Sequence, residues 1–348
     1  MHEKSPKHHH RLTRRSFLAT SLQGIGGLSL LSVAGLDISS LFAADQTTIA
    51  QSRVVISRNP KMRLAPGQDV DAHQARLVLD RAMIRLADTK NPKDAWTKLL
   101  SPSKDDVIGI KINCIGGRNC CTSPVMVNEI IQSLKSIGVA EQNIIIWERR
   151  NDELEKCGFA INTGTSGVRC YGTLPTTRFS EKTFTVSGTE LSFSKILSEQ
   201  ISILINVPIL KDHGAAGMTA ALKNHYGSFN NPWKFHSNKC SPYVAEINAL
   251  PPIREKTRLI LCDAFRPLCH GGPSDRPQYR WTYGGLLAAT DPVALDAIGW
   301  KIIENQRQAS GLKSLAAEGR APKYIEHAAQ LKLGTADPTQ IAVLTETL

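Results

Sequence analysis

A lysine, an asparagine and two adjacent cysteines surround a glycine-rich segment that follows a run of apolar residues. They are Lys111, Asn113, Cys120 and Cys121, and Ser123 and Pro124 then begin a predicted helix. A glycine loop at the start of a helix presents backbone N–H groups to an anion, and the same surroundings lower the pKa of a thiol. Cys120 and Cys121 are therefore either reactive thiolates or metal ligands, or else buried or disulfide-bonded structural residues.

A second group of polar side chains lies between residues 211 and 225. It contains Lys211, His213, Thr219, Lys223, Asn224 and His225. A predicted helix around 219–226 would place Thr219 and Lys223 on one face, where they and Lys211 could hold one anion. The spacing differs from that of a Walker loop, in which Lys directly precedes Ser or Thr. The two histidines are predicted to transfer protons or to bind a metal. A hydrogen-bonded structural role is the alternative.

Two further groups follow predicted strands nearer the end of the chain. Asp263 is a candidate catalytic carboxylate, and Cys269 and His270 are candidate metal ligands on a loop that continues into two glycines. A capping role is the alternative for Asp263. Asp291 stands directly before Pro292, so it is a good N-cap of the next helix as well as a candidate ligand-binding residue.

Alternating apolar runs and helical patterns predict an α/β fold that would bring these groups together. The predicted strands include 106–113, 143–147, 201–210 and 258–263, all apolar along most of their length. Such strands indicate a largely parallel sheet with helices on both faces. Residues 157–195 are rich in Gly, Thr and Ser and predict a small β-rich insertion. Because ligands bind at the carboxyl ends of strands in open α/β sheets, we expect the polar groups to form one site.

The composition favours an anionic ligand and argues against several other classes of protein. The formal net charge of the 348-residue chain is +11, which favours anions in general, but no nucleic-acid-binding module is visible. The eight cysteines form no C-x-x-C pair, as zinc ribbons and ferredoxin-type clusters would require. Aromatic and basic residues alternate at 233–236 and 279–283, which would suit a flavin or nucleotide as well as ordinary loop packing.

The beginning of the chain is typical of a twin-arginine export signal. Arg14 and Arg15 precede Ser-Phe-Leu in a basic segment, and no charge follows until Asp37. We predict a signal peptide at 1–44, a single α/β domain at 45–348, the twin-arginine translocase as partner, and a periplasmic or otherwise extracytoplasmic location. The preferred small residues are incomplete before Ala43-Ala44. An uncleaved, membrane-tethered form is the alternative, and it would be the protein's one contact with a membrane.

Four segments resemble the bacterial and archaeal family named domain of unknown function 362. They are GIKINC at 109–114, INVPILKDHGAAGMTAALKNHYGSF at 205–229, LILCDAF at 259–265 and TDPVALDAIGWKII at 290–303, so the resemblance covers about 105–305. It implies an α/β fold and a ligand site formed by Lys111, Lys211, His213, Lys223, Asn224 and Asp291. Many family members look fused to, or encoded with, iron–sulfur ferredoxin modules, and the resemblance therefore implies redox chemistry. This chain departs from them because it lacks a ferredoxin cysteine run.

These observations together predict an exported, redox-linked enzyme that binds a metal centre or an anionic cofactor at the strand ends. The cofactor could be a metal, an iron–sulfur cluster, a flavin or a nucleotide. Its predicted ligands are Lys111, Asn113, Lys211, Thr219, Lys223, Asn224 and Asp291 for an anion, and Cys120, Cys121, Cys269 and His270 for a metal. His213, His225 and Asp263 would act on protons. The alternatives are a non-catalytic electron-transfer protein, which would need a redox partner, and a periplasmic binding protein for an anionic metabolite.

Overall fold

A computed structural model describes residues 51–65 and 68–348. The predicted export signal at 1–44 lies outside the described residues. No helix in the described ranges is long and apolar enough to cross a membrane.

Twelve strands are found in the described ranges. In chain order they are β1 (Ser52–Arg58), β2 (Ile108–Lys111), β3 (Ile144–Arg150), β4 (Arg169–Leu174), β5 (Phe179–Val186), β6 (Thr189–Ser194), β7 (Ile203–Asn206), β8 (Ile209–His213), β9 (Gly217–Thr219), β10 (Thr257–Leu268), β11 (Gly285–Ala289) and β12 (Ile341–Thr347).

The α-helices are α1 (Ala72–Ala87), α2 (Pro92–Leu100), α3 (Pro124–Ser136), α4 (Asn151–Lys156), α5 (Tyr243–Asn248), α6 (Pro251–Arg254), α7 (Pro292–Ala309) and α8 (Tyr324–Gln330). Short 3-10 helices at Lys223–Gly227, Pro232–Phe235 and Ser237–Cys240 follow β9 in succession. Ser123 caps α3 by accepting a hydrogen bond from the Met126 N–H, and Pro124 occupies the first helical turn, as the sequence predicts.

Ten of the strands form one mixed, mostly parallel sheet, which confirms the predicted α/β fold. Its order is β12-β1-β11-β10-β7-β2-β3-β4, and β8 pairs with both β10 and β9. The adjacent strands from β10 to β4 run parallel to one another, whereas β11 is antiparallel to both of its neighbours. The carboxyl ends of β2, β3 and β7 therefore meet at one edge.

Apolar side chains are packed on both faces of this sheet. On one face, Ile108 and Ile110 of β2 belong to a core that also contains Leu79 of α1 and Ile130 of α3. The opposite face has a core with residues of β3, β7, α5 and α8, such as Trp147, Leu204, Ile247 and Tyr324. The central strands are buried on both faces, which explains why they are apolar along their whole length.

The predicted small β-rich insertion at 157–195 is confirmed, and it takes the form of a hairpin. β4 joins the main sheet beside β3, and the separate two-stranded antiparallel sheet contains only β5 and β6. β5 is exposed or half-buried along all but its last residue, which distinguishes this hairpin from the fully buried strands.

Candidate functional site

Most of the predicted anion-binding residues line one cavity at the carboxyl ends of β2, β3 and β8. We call it the lysine cavity; its volume is about 170 Å³, and its walls include Asn113, Lys211, His213, Thr219, Lys223, Asn224, Glu148, Arg149, Tyr226 and His236. In the sequence-based prediction, the first six of these residues belong to three separate elements. The parallel arrangement of the strands brings them to one edge.

Lys111 lies behind the wall of this cavity rather than in it. Its Nζ is 2.7 Å from Oε1 of Glu148, and both side chains are at most 1% exposed. The same Nζ donates a hydrogen bond to the carbonyl of Ile112. A Cβ at Gly227 would come within 2.8 Å of Glu148 Oε1 and 3.1 Å of Lys111 Nζ, so glycine leaves room for the pair. Lys111 is therefore neutralised by Glu148 and serves to position that carboxylate.

Lys211 brings a positive charge to the cavity without a carboxylate partner among the described residues. Its buried Nζ donates hydrogen bonds to the carbonyls of Ile115 and Cys120, the second at 3.2 Å. These contacts fix the glycine loop after β2 against β8. Carbonyl oxygens stabilise the ammonium group but leave its charge in place, so the cavity wall stays positive.

Among the lysines of the cavity, Lys223 has the amine whose positive charge is compensated least by neighbouring groups. It is 4% exposed, and its Nζ lies 3.3 Å from the centroid of the Tyr226 ring. Its amine makes no hydrogen bond or ion pair with any residue of the described ranges. Burial lowers the pKa of Lys223 to about 7, and the charge of Lys211 acts in the same direction. Near neutral pH this amine can therefore both accept and donate a proton.

Three asparagines link the cavity to the centre of the sheet. Asn113 Nδ2 donates to Asn224 Oδ1 at 2.9 Å, and Asn224 Nδ2 donates to Asn206 Oδ1 at 2.7 Å. Asn113 Oδ1 is buried and has no hydrogen-bond partner among the described residues. An unpaired buried acceptor costs free energy, so this oxygen is available to a donor on a bound ligand.

His213 reaches the lysine cavity as a neutral ring. Its Nδ1 accepts hydrogen bonds from the backbone N–H groups of Ala215 and Ala216, both at 3.2 Å. The proton of the neutral ring is therefore on Nε2. Burial and the nearby charge of Lys223 hold the pKa of His213 well below its usual value. The ring stacks on His236 at 5.9 Å between centroids, and it is suited to donating a hydrogen bond through Nε2.

His225 lies outside the lysine cavity, although the sequence places it only two residues after Lys223. Its Nε2 is 3.3 Å from Asn206 Nδ2 and its Nδ1 is 3.3 Å from Ser228 Oγ. Burial lowers the pKa of His225 to about 3. The ring lines a different cavity, of about 130 Å³. It has the hydrogen-bonded surroundings of a structural histidine, which the sequence leaves as the alternative.

The two predicted aspartates are also separated from the lysine cavity. Asp291 caps α7 by accepting from the N–H groups of Val293 and Ala294 at 2.8 and 2.9 Å. It also accepts from Ser52 Oγ and the Thr335 N–H. The capping alternative thus accounts for its two contacts with α7.

Asp263 lies in another part of the molecule, beside a cavity of about 60 Å³ that also contains Cys121 and Cys157. We call it the cysteine cavity. The Asp263 carboxylate accepts from the N–H groups of Ser123 and Phe265, and burial raises its pKa to about 7.

The predicted metal ligands do not come together. Cys269 donates to the Tyr279 carbonyl at 3.3 Å, and His270 Nδ1 lies 3.2 Å from Nη1 of the buried Arg307. Cys121 faces the Arg118 carbonyl, at 3.4 Å. Within residues 51–65 and 68–348, no group of three Cys, His, Asp or Glu side chains could hold a metal ion. The set Cys120, Cys121, Cys269 and His270 is therefore not assembled as a metal site.

Several residues of the site are absent from the sequence-based prediction. Glu148 and Arg149 directly follow the buried strand NIIIW, and their position at a strand end is a usable signal. Tyr226 lies in the 3-10 helix Lys223–Gly227, where no regular spacing indicates which side chains face inward. His236 belongs to the segment 233–236, which the sequence indicates only as an aromatic and basic stretch.

Residues 108–301 match the family described as Domain of unknown function (DUF362). The match covers more than half of the chain. The protein belongs to this family. The matched range contains every residue named above as a wall of the lysine cavity. Among curated proteins, none matches the chain.

Two solved structures show distant similarity to the protein. One is a Thermotoga maritima protein from a structural genomics programme, with 12% identity, a TM-score of 0.40, and coverage of 62% of this chain and 58% of the other. The second is the lactate racemase apoprotein from Thermoanaerobacterium thermosaccharolyticum, with 14% identity, a TM-score of 0.37, and coverage of 72% and 62%. The chain spans about three fifths of the length of each.

Proposed function

We propose that the protein is an enzyme that binds a small anionic ligand in the lysine cavity and exchanges a proton with it through Lys223. The observation that carries the proposal is the buried Lys223 amine, which lacks an acidic partner among the described residues and lies in the same cavity as Lys211. An anion would supply the missing charge.

The ligand classes expected from the sequence fit this cavity unequally. A volume of about 170 Å³ is below the roughly 300–1,000 Å³ of sites that enclose a drug-sized molecule. A whole flavin or nucleotide is therefore too large to be enclosed, whereas a small carboxylate or phosphate fits. A metal centre lacks a ligand set in the described ranges, so we derive no step through a metal.

The side chains have complementary roles towards such an anion. Lys211 is held by backbone carbonyls and offers a fixed charge, whereas His213 Nε2–H offers a neutral donor. The Asn113 Oδ1 atom has no partner in the described ranges and would accept a hydrogen bond from a ligand that carries a hydroxyl group. Lys223, with its pKa of about 7, takes up a proton when the anion arrives, because a nearby negative charge raises the pKa of an amine.

Calorimetric titration with inorganic phosphate and with malonate tests this proposal. At pH 8 we expect wild-type protein to take up a proton on binding, seen as a dependence of the heat on the ionisation enthalpy of the buffer. Lys223→Met should abolish the uptake, and Lys211→Met should weaken binding by roughly 10- to 100-fold, as for a lost charged hydrogen bond of about 1.5–3 kcal/mol.

Lys234→Met is the matched control, because Lys234 is an exposed lysine in the neighbouring segment. It should bind both anions as the wild type does. Absence of binding by the wild type, or equal weakening by Lys234→Met and Lys211→Met, would contradict the proposal. Binding without any chemical conversion of small carboxylate or phosphate compounds would favour a binding protein over an enzyme.

A further inference from the structure

The cavity of about 130 Å³ beside His225 is separate from the lysine cavity. We call it the histidine cavity; its walls include Asn206, His225, Asn248, Arg254, Lys332 and Leu333. Lys223 and His225 belong to the same 3-10 helix, Lys223–Gly227, yet each lines a different cavity. Among the described residues, none is a wall of both cavities. Each cavity can therefore hold its own ligand.

His225 and Asn206 form a part of the wall whose nitrogen atoms already have partners. The Asn206 amide group donates from Nδ2 to the Ala221 carbonyl at 2.9 Å, and the same Nδ2 lies 3.3 Å from His225 Nε2. Because an amide nitrogen only donates, Nε2 is the acceptor and the ring proton is on Nδ1, which lies 3.3 Å from Ser228 Oγ. A ligand must therefore find its polar contacts elsewhere in the wall.

Asn248 supplies a buried acceptor to the histidine cavity. Its Nδ2 donates to the Leu222 carbonyl at 2.9 Å and to the Val244 carbonyl at 2.7 Å. Two carbonyls can face only the NH₂ side of the amide, so the orientation of the side chain is fixed. Oδ1 accepts no hydrogen bond from any described residue, although Asn248 is only 5% exposed. An unpaired buried acceptor costs free energy, so Oδ1 favours a ligand that donates a hydrogen bond.

Two cations give the same cavity a positive mouth. Arg254 and Lys332 are wall residues and are both exposed, so the cavity opens to the surface. Neither side chain forms an ion pair with another described residue, and the described walls contain no Asp or Glu. Such a mouth attracts a carboxylate and repels an ammonium group. The donor that reaches Asn248 is therefore a neutral hydroxyl.

The size of the histidine cavity limits the ligand further. About 130 Å³ holds roughly four water molecules and is below the roughly 300–1,000 Å³ of sites that enclose a drug-sized molecule. Ile253 and Leu333 add apolar surface to the walls, which suits a short carbon chain. A nucleotide is too large to be enclosed.

We propose that the histidine cavity is a second binding site, which takes a small hydroxycarboxylate. The hydroxyl group of the ligand donates to Asn248 Oδ1, and its carboxylate pairs with Arg254 and Lys332 at the mouth. This site does not depend on proton exchange at Lys223, because the two cavities have separate walls.

Calorimetric titration of the full chain with glycolate and with acetate tests the proposal. The Lys211→Met variant is used, because loss of that fixed charge weakens binding of carboxylates in the lysine cavity. We expect glycolate to bind roughly fivefold more tightly than acetate, which lacks only the hydroxyl group. Equal affinities would overturn the assignment of Asn248 as the acceptor.

A second variant locates the bound glycolate. Leu333→Trp, added to Lys211→Met, fills the histidine cavity and should abolish glycolate binding. Leu331→Trp is the matched control, because Leu331 is 41% exposed and is not a wall residue, and it should leave the affinity unchanged. Glycolate binding that survives Leu333→Trp would overturn the proposal.

The charge at the mouth is tested separately, which keeps the proposal decidable if Leu333→Trp fails to fold. Arg254→Met should weaken glycolate binding roughly fivefold, as for a surface ion pair of good geometry. Arg258→Met, which removes an exposed arginine outside the wall, should leave it unchanged. Equal effects of the two substitutions would contradict the site. Failure of wild-type protein to bind phosphate would contradict the function proposed for the lysine cavity and leave these results standing.

Discussion

Lys111 and Lys223 show how burial can produce opposite results in the same residue type. Lys111 is fully buried but lies 2.7 Å from a carboxylate oxygen, so its charge is compensated. Lys223 is buried to a similar degree, yet its amine makes no hydrogen bond or ion pair in the described ranges and lies over the face of the Tyr226 ring. A cation–π contact is weaker than a buried ion pair. The lowered pKa of Lys223 follows from this difference.

The pH dependence of stability should report the lowered pKa of Lys223. The ordinary pKa of 10.5 falls to about 7 in the folded protein, so between these values the unfolded chain binds more protons than the folded one. The contribution of Lys223 to the free energy of unfolding therefore increases with pH between about 7 and 10.5. Relative to Lys223→Met, we expect the unfolding free energy of wild type to increase by about 2 kcal/mol from pH 7 to pH 9.

Urea unfolding at the two pH values measures this difference. Lys234→Met provides the reference, because removal of an exposed ammonium group should leave the curve parallel to that of the wild type. A constant offset between wild type and Lys223→Met at both pH values would show that Lys223 stays charged in the folded protein.

At the scale of single residues, the sequence predicted the members of the lysine cavity better than their roles. Lys211 and Asn113 are predicted from their positions at the ends of predicted strands. Lys223 is predicted from its spacing to Thr219, and Asn224 from the family resemblance. His213 lines the lysine cavity, whereas His225 has the surroundings of a structural histidine. This difference depends on which backbone and side-chain groups contact each ring. Those groups come from folded geometry, which spacing along the chain does not contain.

At the scale of elements, the connections between strands and helices hold the site in place. Asp296 is buried in α7 and accepts hydrogen bonds from the N–H groups of Ala221 and Leu222. These residues directly precede Lys223. The carboxylate thus fixes the backbone that carries the cavity lysine.

Asp291 should matter to stability and leave anion binding unchanged. Asp291→Ala removes two capping hydrogen bonds and the contacts to Ser52 and Thr335. We expect a loss of about 2 kcal/mol of unfolding free energy, at the upper end for an N-cap. Asp71→Ala, which removes the cap of α1 alone, should cost less in the same urea titration.

Phosphate affinity measured by calorimetry completes this test. If Asp291→Ala folds but binds phosphate at least tenfold more weakly, the residue acts on the ligand as the family resemblance implies. The cap would then be a secondary role.

Two elements differ from the sequence-based prediction for identifiable reasons. The apolar run 201–210 reads as one strand, but Pro208 lacks an N–H group, and the chain divides there into β7 and β8. The predicted helix around 219–226 is instead β9 and a 3-10 helix. Gly217, the first residue of β9, has a φ of +83°, and the backbone after β9 is held by Asp296. Thr219 and Lys223 reach the same cavity without sharing a helix face.

At the scale of the whole molecule, the predicted export signal lies outside the described residues, and the location stays a prediction. Export by the twin-arginine route can be tested directly, because the translocase recognises the arginine pair itself. Arg14→Lys combined with Arg15→Lys should retain the protein in the cytoplasm, whereas Lys4→Arg combined with Lys7→Arg should not. Fractionation of cells that express each form, followed by immunoblotting, measures the distribution. Equal export of both forms would contradict the twin-arginine assignment.

The position of β1 in the sheet also has a consequence for biosynthesis. Its two neighbours are β11 and β12, which lie at 285–289 and 341–347. At roughly 5–20 residues per second, a ribosome needs tens of seconds to go from β1 to the strands that will flank it. During that interval β1 has unpaired N–H and C=O groups along both edges, and such edges pair readily with other chains. The nascent protein should therefore depend on chaperones until its last strand is made.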